Sequence, residues 1–300
     1  MRLSPDYVGK RCAPLEVHID ARQAMNYAAA VADHNNCYFD DTRPDGIIAP
    51  PMMAVALTWK ISSRFHEFWR GTDFPVDVLR QQVHYLEQLE WRRMLRSGDT
   101  LWLEGECKAI LPHRAGCLLL IEYRAIDGQG ELVFAERIGG LLRGVTCEGE
   151  GRGQDNVPVL HRYRAEGPVW EKKVHIGPAA AHLYDGCADI HFPIHTSVAF
   201  ARSVGLPDII YHGTATLSQA LRDLVNREAG RDPRHLLEVR CNFGAMVMLD
   251  STITLQMLGR EVVRGETLLH FQVLNEEGQK AIRQGTVRIS PPGNLKPGKD

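Results

Sequence analysis

The chain repeats its own plan. The stretch HIDARQAMNYAAAVADHNNCY at residues 18–38 is answered by HIGPAAAHLYDGCADIHFPIH at 175–195. GIIAPPMMAVALTWKISSRFHEFWRG at 46–71 is answered by DIIYHGTATLSQALRDLVNREAG at 208–230, and SGDTLWLEGEC at 97–107 by LDSTITLQMLG at 249–259. A module of helix followed by strands leaves one face uncovered when it stands alone, so two copies must bury those faces against each other. The expected solution is a pair of sheets that join and wrap both helices. The implied division is a first repeat over 1–144, a linker over 145–167, a second repeat over 168–291 and a frayed tail over 292–300.

Within each repeat the periodicity changes once. Residues 18–40 read as a helix with Asp20 as N-cap and apolar positions at Met25, Ala28, Ala29 and Ala32. A second helix is expected from Met53, Leu57, Ile61, Phe65 and Phe68, which share one face, with Gly71 as its stop. From Val83 the pattern turns to strands: Gly98–Ile110 alternates, and Cys117–Ile126, a turn at 127–130 and Leu132–Leu142 complete a meander. In the second repeat, Leu217, Leu221, Leu224 and Val225 mark an amphipathic helix ended by Gly230, followed by strands with a turn at Glu276–Gly278. Residues 145–167 are rich in glycine and charge and lack periodicity. Their glycines fit no phosphate-loop spacing, so they read as a plain connection.

Composition narrows the function by exclusion. A net charge of −2 over 300 residues gives no electrostatic case for nucleic acid or an anionic membrane. No apolar run reaches membrane-spanning length, and the N-terminus lacks the apolar core of a signal peptide. The seven cysteines are scattered and odd in number, as in a reducing compartment, so a cytoplasmic location is expected. His191 and His195 stand four apart, but Pro193 between them breaks a helix and no third ligand is evident, so no metal is expected. No G-x-S-x-G, H-E-x-x-H or P-loop occurs.

The chemistry-bearing residues converge on 183–224. Asp189, His191 and His195 precede a loop that leads through an apolar run to His212-Gly213, where a long helix opens. An acid and a histidine facing a helix N-terminus suit proton transfer beside a carbonyl. The first helical amides are unpaired and partially positive, and glycine lets a ligand approach them. Histidine supplies a base near neutrality.

With these residues in view, the order helix, D-x-x-x-P-I-H, LPDII-x-HGT, long helix, then G-D-T-L strands resembles the MaoC-like dehydratases, or (R)-specific enoyl-CoA hydratases, of two-repeat type. The resemblance spans about residues 15–290. It implies an α+β double hotdog, with two helix-plus-antiparallel-meander repeats side by side and each sheet wrapping a central helix. It also implies an acyl-CoA thioester substrate held between the halves, with reversible addition of water to a 2-enoyl thioester. His195 falls on the family histidine and Gly213 on the glycine whose N–H holds the thioester oxygen. The family acid stands five before the histidine, which is Ile190 here, with Phe192 on the asparagine. A one-residue bulge instead keeps Asp189 as the acid, with His191 in place of the asparagine, and this second register is the one favoured. His191 and His212 are further candidates for holding water or substrate.

By the same resemblance the first repeat is retired: Pro51 stands where Gly213 stands and has no N–H, and Tyr38 stands where a histidine is needed. Its helix residues Met52, Met53, Ala56 and Trp59, with Tyr38, are expected to line an acyl groove or to pack as core. Arg92, Arg93 and Arg96 are a solvated face or a contact for CoA phosphates. No cofactor is expected beyond coenzyme A as part of the substrate, and the partners expected are that thioester and a second copy in a homodimer. A thioesterase and a non-catalytic thioester-binding protein are the rival readings.

Overall fold

A computed structural model describes residues 1–291, so the expected tail at 292–300 lies outside the described residues. Its centre is a ten-stranded sheet. The first repeat contributes β1 (Leu15–His18), β2 (Gln82–Trp91), β3 (Thr100–His113), β4 (Gly116–Asp127) and β5 (Leu132–Arg143). The second contributes β6 (Trp170–Ile176), β7 (Leu236–Phe243), β8 (Ser251–Val263), β9 (Glu266–Leu274) and β10 (Lys280–Ile289). The strand order is β1-β3-β4-β5-β2-β7-β10-β9-β8-β6, antiparallel at every step. Each half therefore reads the same from the seam outward.

The seam is β2 against β7, with Leu86 opposite Asn242 and Glu90 opposite Glu238. Joining there turns two exposed edges into one continuous ladder, which removes the edge each module would offer alone. On the outer face, Gln88 donates to Glu238 across it at 2.6 Å.

The inner face covers α2 (Met53–Ser62) and α5 (Gly213–Glu228), α1 (Ala21–Ala30) packs on α3 (Ala180–Ala188), and a short α4 (Val198–Ser203) lies between α3 and α5 in the chain. Asp20 caps α1 as expected, accepting from Arg22 N–H at 3.1 Å. The approximate two-fold relation brings equivalent residues together, with the Tyr27 and Tyr184 hydroxyls 2.7 Å apart. α5 is buried along Thr214–Val225, polar positions included. Its apolar spacing covers only one side, and the other half covers the polar side. Arg222 donates to the Val31 carbonyl at 2.7 Å and pairs with Asp223, which also meets Lys172 at 2.6 Å.

The helix expected over 18–40 covers only Ala21–Ala30, and two further expectations change. The helix anticipated to run to Gly71 stops at Ser62, with a separate single turn at Phe65–Phe68. Ser63 N–H still reaches the Trp59 carbonyl at 2.8 Å, but Arg64 N–H turns to Ile61 and the Lys60 carbonyl accepts from Arg64 Nε at 3.2 Å, so a side chain takes the acceptor that a further turn needs. The segment 145–167 is a docked strap. Arg152 bridges Ile110, and Val157 and Leu160 cover an outer-face cluster of Leu86, Ala109, Leu111, Leu118 and Leu120. Gly153 has φ +89°, and a Cβ there would stand 2.0 Å from the Lys108 carbonyl oxygen, so only glycine allows this approach.

Candidate active site

The two halves build the same loop with different side chains. In the first, Asp33 N–H bonds the Ala28 carbonyl at 2.9 Å, and a 3-10 turn follows at Asn36–Tyr38. In the second, Ile190 N–H bonds the Asp185 carbonyl at 3.3 Å, and the turn is Pro193–His195. Ala32 and Asp189 both take left-handed φ, 50° and 57°. The equivalences are thus Asp33 with Ile190, Asn35 with Phe192 and Tyr38 with His195. The backbone thus pairs Ile190 with Asp33 without an inserted residue, and Ile190 is buried in the core.

Asp189 sits at the exposed end of α3. Its carboxylate meets His191 Nε2 at 2.9 Å and Lys60 of the first half at 3.7 Å, and its hydrogen bonds do not reach His195. One helical turn earlier, Asp185 is buried. Its Oδ2 lies 2.5 Å from His191 Nδ1, and its Oδ1 lies 4.0 Å from His212 Nε2. With a carboxylate at each ring nitrogen, chiefly Asp185, the His191 pKa is raised. Sequence reasoning passed over Asp185. Its signal was the i, i+4 spacing to Asp189 and its place opposite Ala28 in the ungapped repeat.

His195 Nδ1 stands 2.8 Å from the Ile210 carbonyl, which can only accept. Nδ1 therefore carries the proton and Nε2 presents a lone pair. The ring keeps a partly solvent-facing edge, yet close packing desolvates it and holds its pKa down to about 4, against a smaller upward pull from Asp185. It stacks on His212 with ring centroids 3.6 Å apart. His212, buried and beside a second imidazole, is pushed down to about 2. Both rings are neutral at pH 7. Neither His212 nitrogen, nor Asp185 Oδ1, has a hydrogen-bond partner among the described residues.

His212 is also the N-cap of α5, so Gly213 begins the helix immediately beside the stacked rings. A Cβ at Gly213 would meet the Phe243 ring at 3.1 Å. Phe192 adjoins His195 and, across the halves, Trp59, with ring centroids 6.2 and 6.1 Å apart. The other expected groove residues, Tyr38, Met52 and Met53, are sealed in the core. Of the basic trio, Arg93 pairs with Asp99 at 2.7 Å.

Beyond Phe243 lies a group with no sequence signal. The His84 ring is 4.4 Å from Phe243, and its Nε2 is 3.0 Å from Glu87. Glu87 and Glu136 are fully buried, and their carboxyl oxygens lack hydrogen-bond partners among the described residues. Burial raises both pKa values well above the usual range. Such a group binds its proton more tightly folded than unfolded, so its contribution to stability is present below the unfolded pKa and is lost as pH rises. Glu87→Gln removes this titration. The variant should gain on the native protein by about 1.4 kcal/mol per pH unit above ~4.5, until the folded group ionises, with no pH-dependent gain below pH ~4. Urea midpoints from pH 4 to 8 measure this, and a pH-independent difference would contradict it.

Two family models match the chain: "MaoC like domain" over residues 163–280 and "FAS1-like, dehydratase domain region" over residues 6–136. Among solved structures, a MaoC-like dehydratase from Phytophthora capsici superposes with a TM-score of 0.80 at 21% identity, covering 96% of this chain and 99% of that one. A Mycobacterium tuberculosis protein described as a double hotdog gives 0.61 at 15% identity, covering 94% and 95%. The fatty acid synthase subunit beta of Aspergillus oryzae is 27% identical over 163 residues, which is 48% of this chain and 8% of that protein. The chain thus spans less than a tenth of that relative. No helix among the described residues is long and apolar enough to cross a membrane.

Proposed function

The chain joins a MaoC-like domain to a FAS1-like dehydratase region in a double hotdog, and from that premise we propose that it reversibly hydrates a 2-enoyl thioester of coenzyme A. The observation that carries this reading is the convergence of unpaired buried polar atoms, Asp185 Oδ1 and both nitrogens of His212, on a neutral His195 at the start of α5. Water or a substrate hydroxyl bridging them would satisfy groups that are otherwise costly to bury.

In the hydration direction, His195 Nε2 accepts a proton from water while the oxygen bonds to Cβ of the enoyl group. The electron pair of the double bond moves to Cα and the thioester carbonyl, and the Gly213 N–H stabilises the resulting enolate oxygen. Cα then takes a proton from the site, and dehydration reverses each step. A base of pKa near 4 is weak, and the Asp185 carboxylate strengthens it by favouring its protonated form. His191, held by Asp185 and Asp189, orients the Asp185 carboxylate.

A 2-enoyl-CoA assay with absorbance and thiol readouts tests the reaction. Loss of the enoyl band without thiol release supports it, while thiol release marks a thioesterase and overturns it. In the same assay Asp185→Asn should lower kcat between ~10- and ~100-fold, whereas Asp189→Asn, losing only exposed pairs, should stay within ~3-fold. The reverse order would return the acid role to Asp189.

A further inference from the structure

We infer that a cavity past the end of α5 is an anion-binding site for a phosphate ester or diphosphate. The first-half loop at Asn35–Cys37 borders it, and its volume is about 390 Å³. Asn35, Cys37, Arg43, Arg231, Asp232 and Arg234 line it. It lies past the end of α5, sixteen helical residues from Gly213, so it is separate from the candidate active site. Asn35 bonds Asn226 of α5 at 2.9 Å.

Three guanidinium groups surround the space, and only one is fully engaged. Arg234 is taken by Asp232 and by Asp45, at 2.7 and 2.8 Å. Arg43 reaches Asp45 only at 4.0 Å, and its buried Nε has no hydrogen-bond partner among the described residues. Among the described residues Arg231 makes one side-chain hydrogen bond, from Nε to Asn35 Oδ1 at 3.3 Å. Gly230 and Arg231 are consecutive left-handed residues, φ 62° and 63°, a conformation costly for arginine that fixes its side chain at the cavity wall. Guanidinium donors match phosphate oxygens, and Arg43 and Arg231 keep N–H groups that the neighbouring carboxylates do not take up.

Titration calorimetry of the whole chain with inorganic pyrophosphate and, separately, adenosine 3′,5′-bisphosphate tests the assignment. Binding that weakens at high salt is expected, with affinity falling about tenfold in Arg43→Ala and in Arg231→Gln and unchanged in His195→Ala. Tighter binding of the nucleotide identifies a nucleotide ester as the ligand, and equal binding identifies an inorganic anion. Either supports the site. No heat with either probe, or affinity unchanged in both arginine variants when their melting matches the native chain, overturns it. The enoyl-CoA assay is independent, so failure there leaves this result standing.

Discussion

His195→Ala is expected to lower turnover of a 2-enoyl-CoA at least ~100-fold, the usual scale for loss of a general base. The imidazole is the single group at the site whose free nitrogen and protonation are both fixed by its surroundings. The Ile210 carbonyl holds the proton on Nδ1, and desolvation keeps Nε2 bare at pH 7. His195→Gln separates base from scaffold, because an amide can still donate to Ile210 but cannot take a proton from water. Both variants should lose activity while melting within a few degrees of the native protein, and activity above one third of native in either would remove His195 from the mechanism. The same chemistry sets the pH profile. In the free enzyme the acid limb of kcat/KM should fall near pH ~4, rather than at the ~6.5 of an unperturbed histidine.

The second large effect is expected at Gly213, where Gly213→Pro should cost about 100-fold in kcat and Gly213→Ala much less. Both place a Cβ against Phe243 at 3.1 Å, so that contact is common to the two. Only proline removes the N–H, and a donor aimed at a developing oxyanion contributes ~3 kcal/mol. The helix should tolerate it: Gly213 is the first helical residue, where proline is favoured, and His212 has ψ 135°, in the range required before proline. The first half already carries this substitution at Pro51. Equal activity in the two variants would exclude the Gly213 N–H as the oxyanion donor.

Much of this architecture was legible in one dimension. The duplicated order of segments, the Asp20 cap, the meander strands and the helix beginning at His212-Gly213 rest on local propensity and spacing, which tertiary contacts did not override. Even the contested acid was written in the repeat. Aligned without a gap from His18 and His175, the two copies put Ile190 opposite Asp33, and a bulge was needed only to keep Asp189 in play. Helix length was not legible at Ser62-Ser63, because a side chain that takes a backbone acceptor competes with a pattern that otherwise runs on.

What the sequence determined by itself was the module: two copies of a helix-and-meander unit, one with a histidine and a helix-opening glycine, the other with tyrosine and proline in their places. What only the tertiary structure decided was which groups meet across that module. The β2–β7 seam buries Glu87 and Glu136, the approach of α3 to α5 turns Asp185 toward His212, and the contact between the halves sets three arginines around a cavity. Spacing along the chain fixes neighbours within a helix or strand. The desolvation and charge that shift a pKa come from residues far apart in sequence, and only the folded packing brings them within a few ångströms.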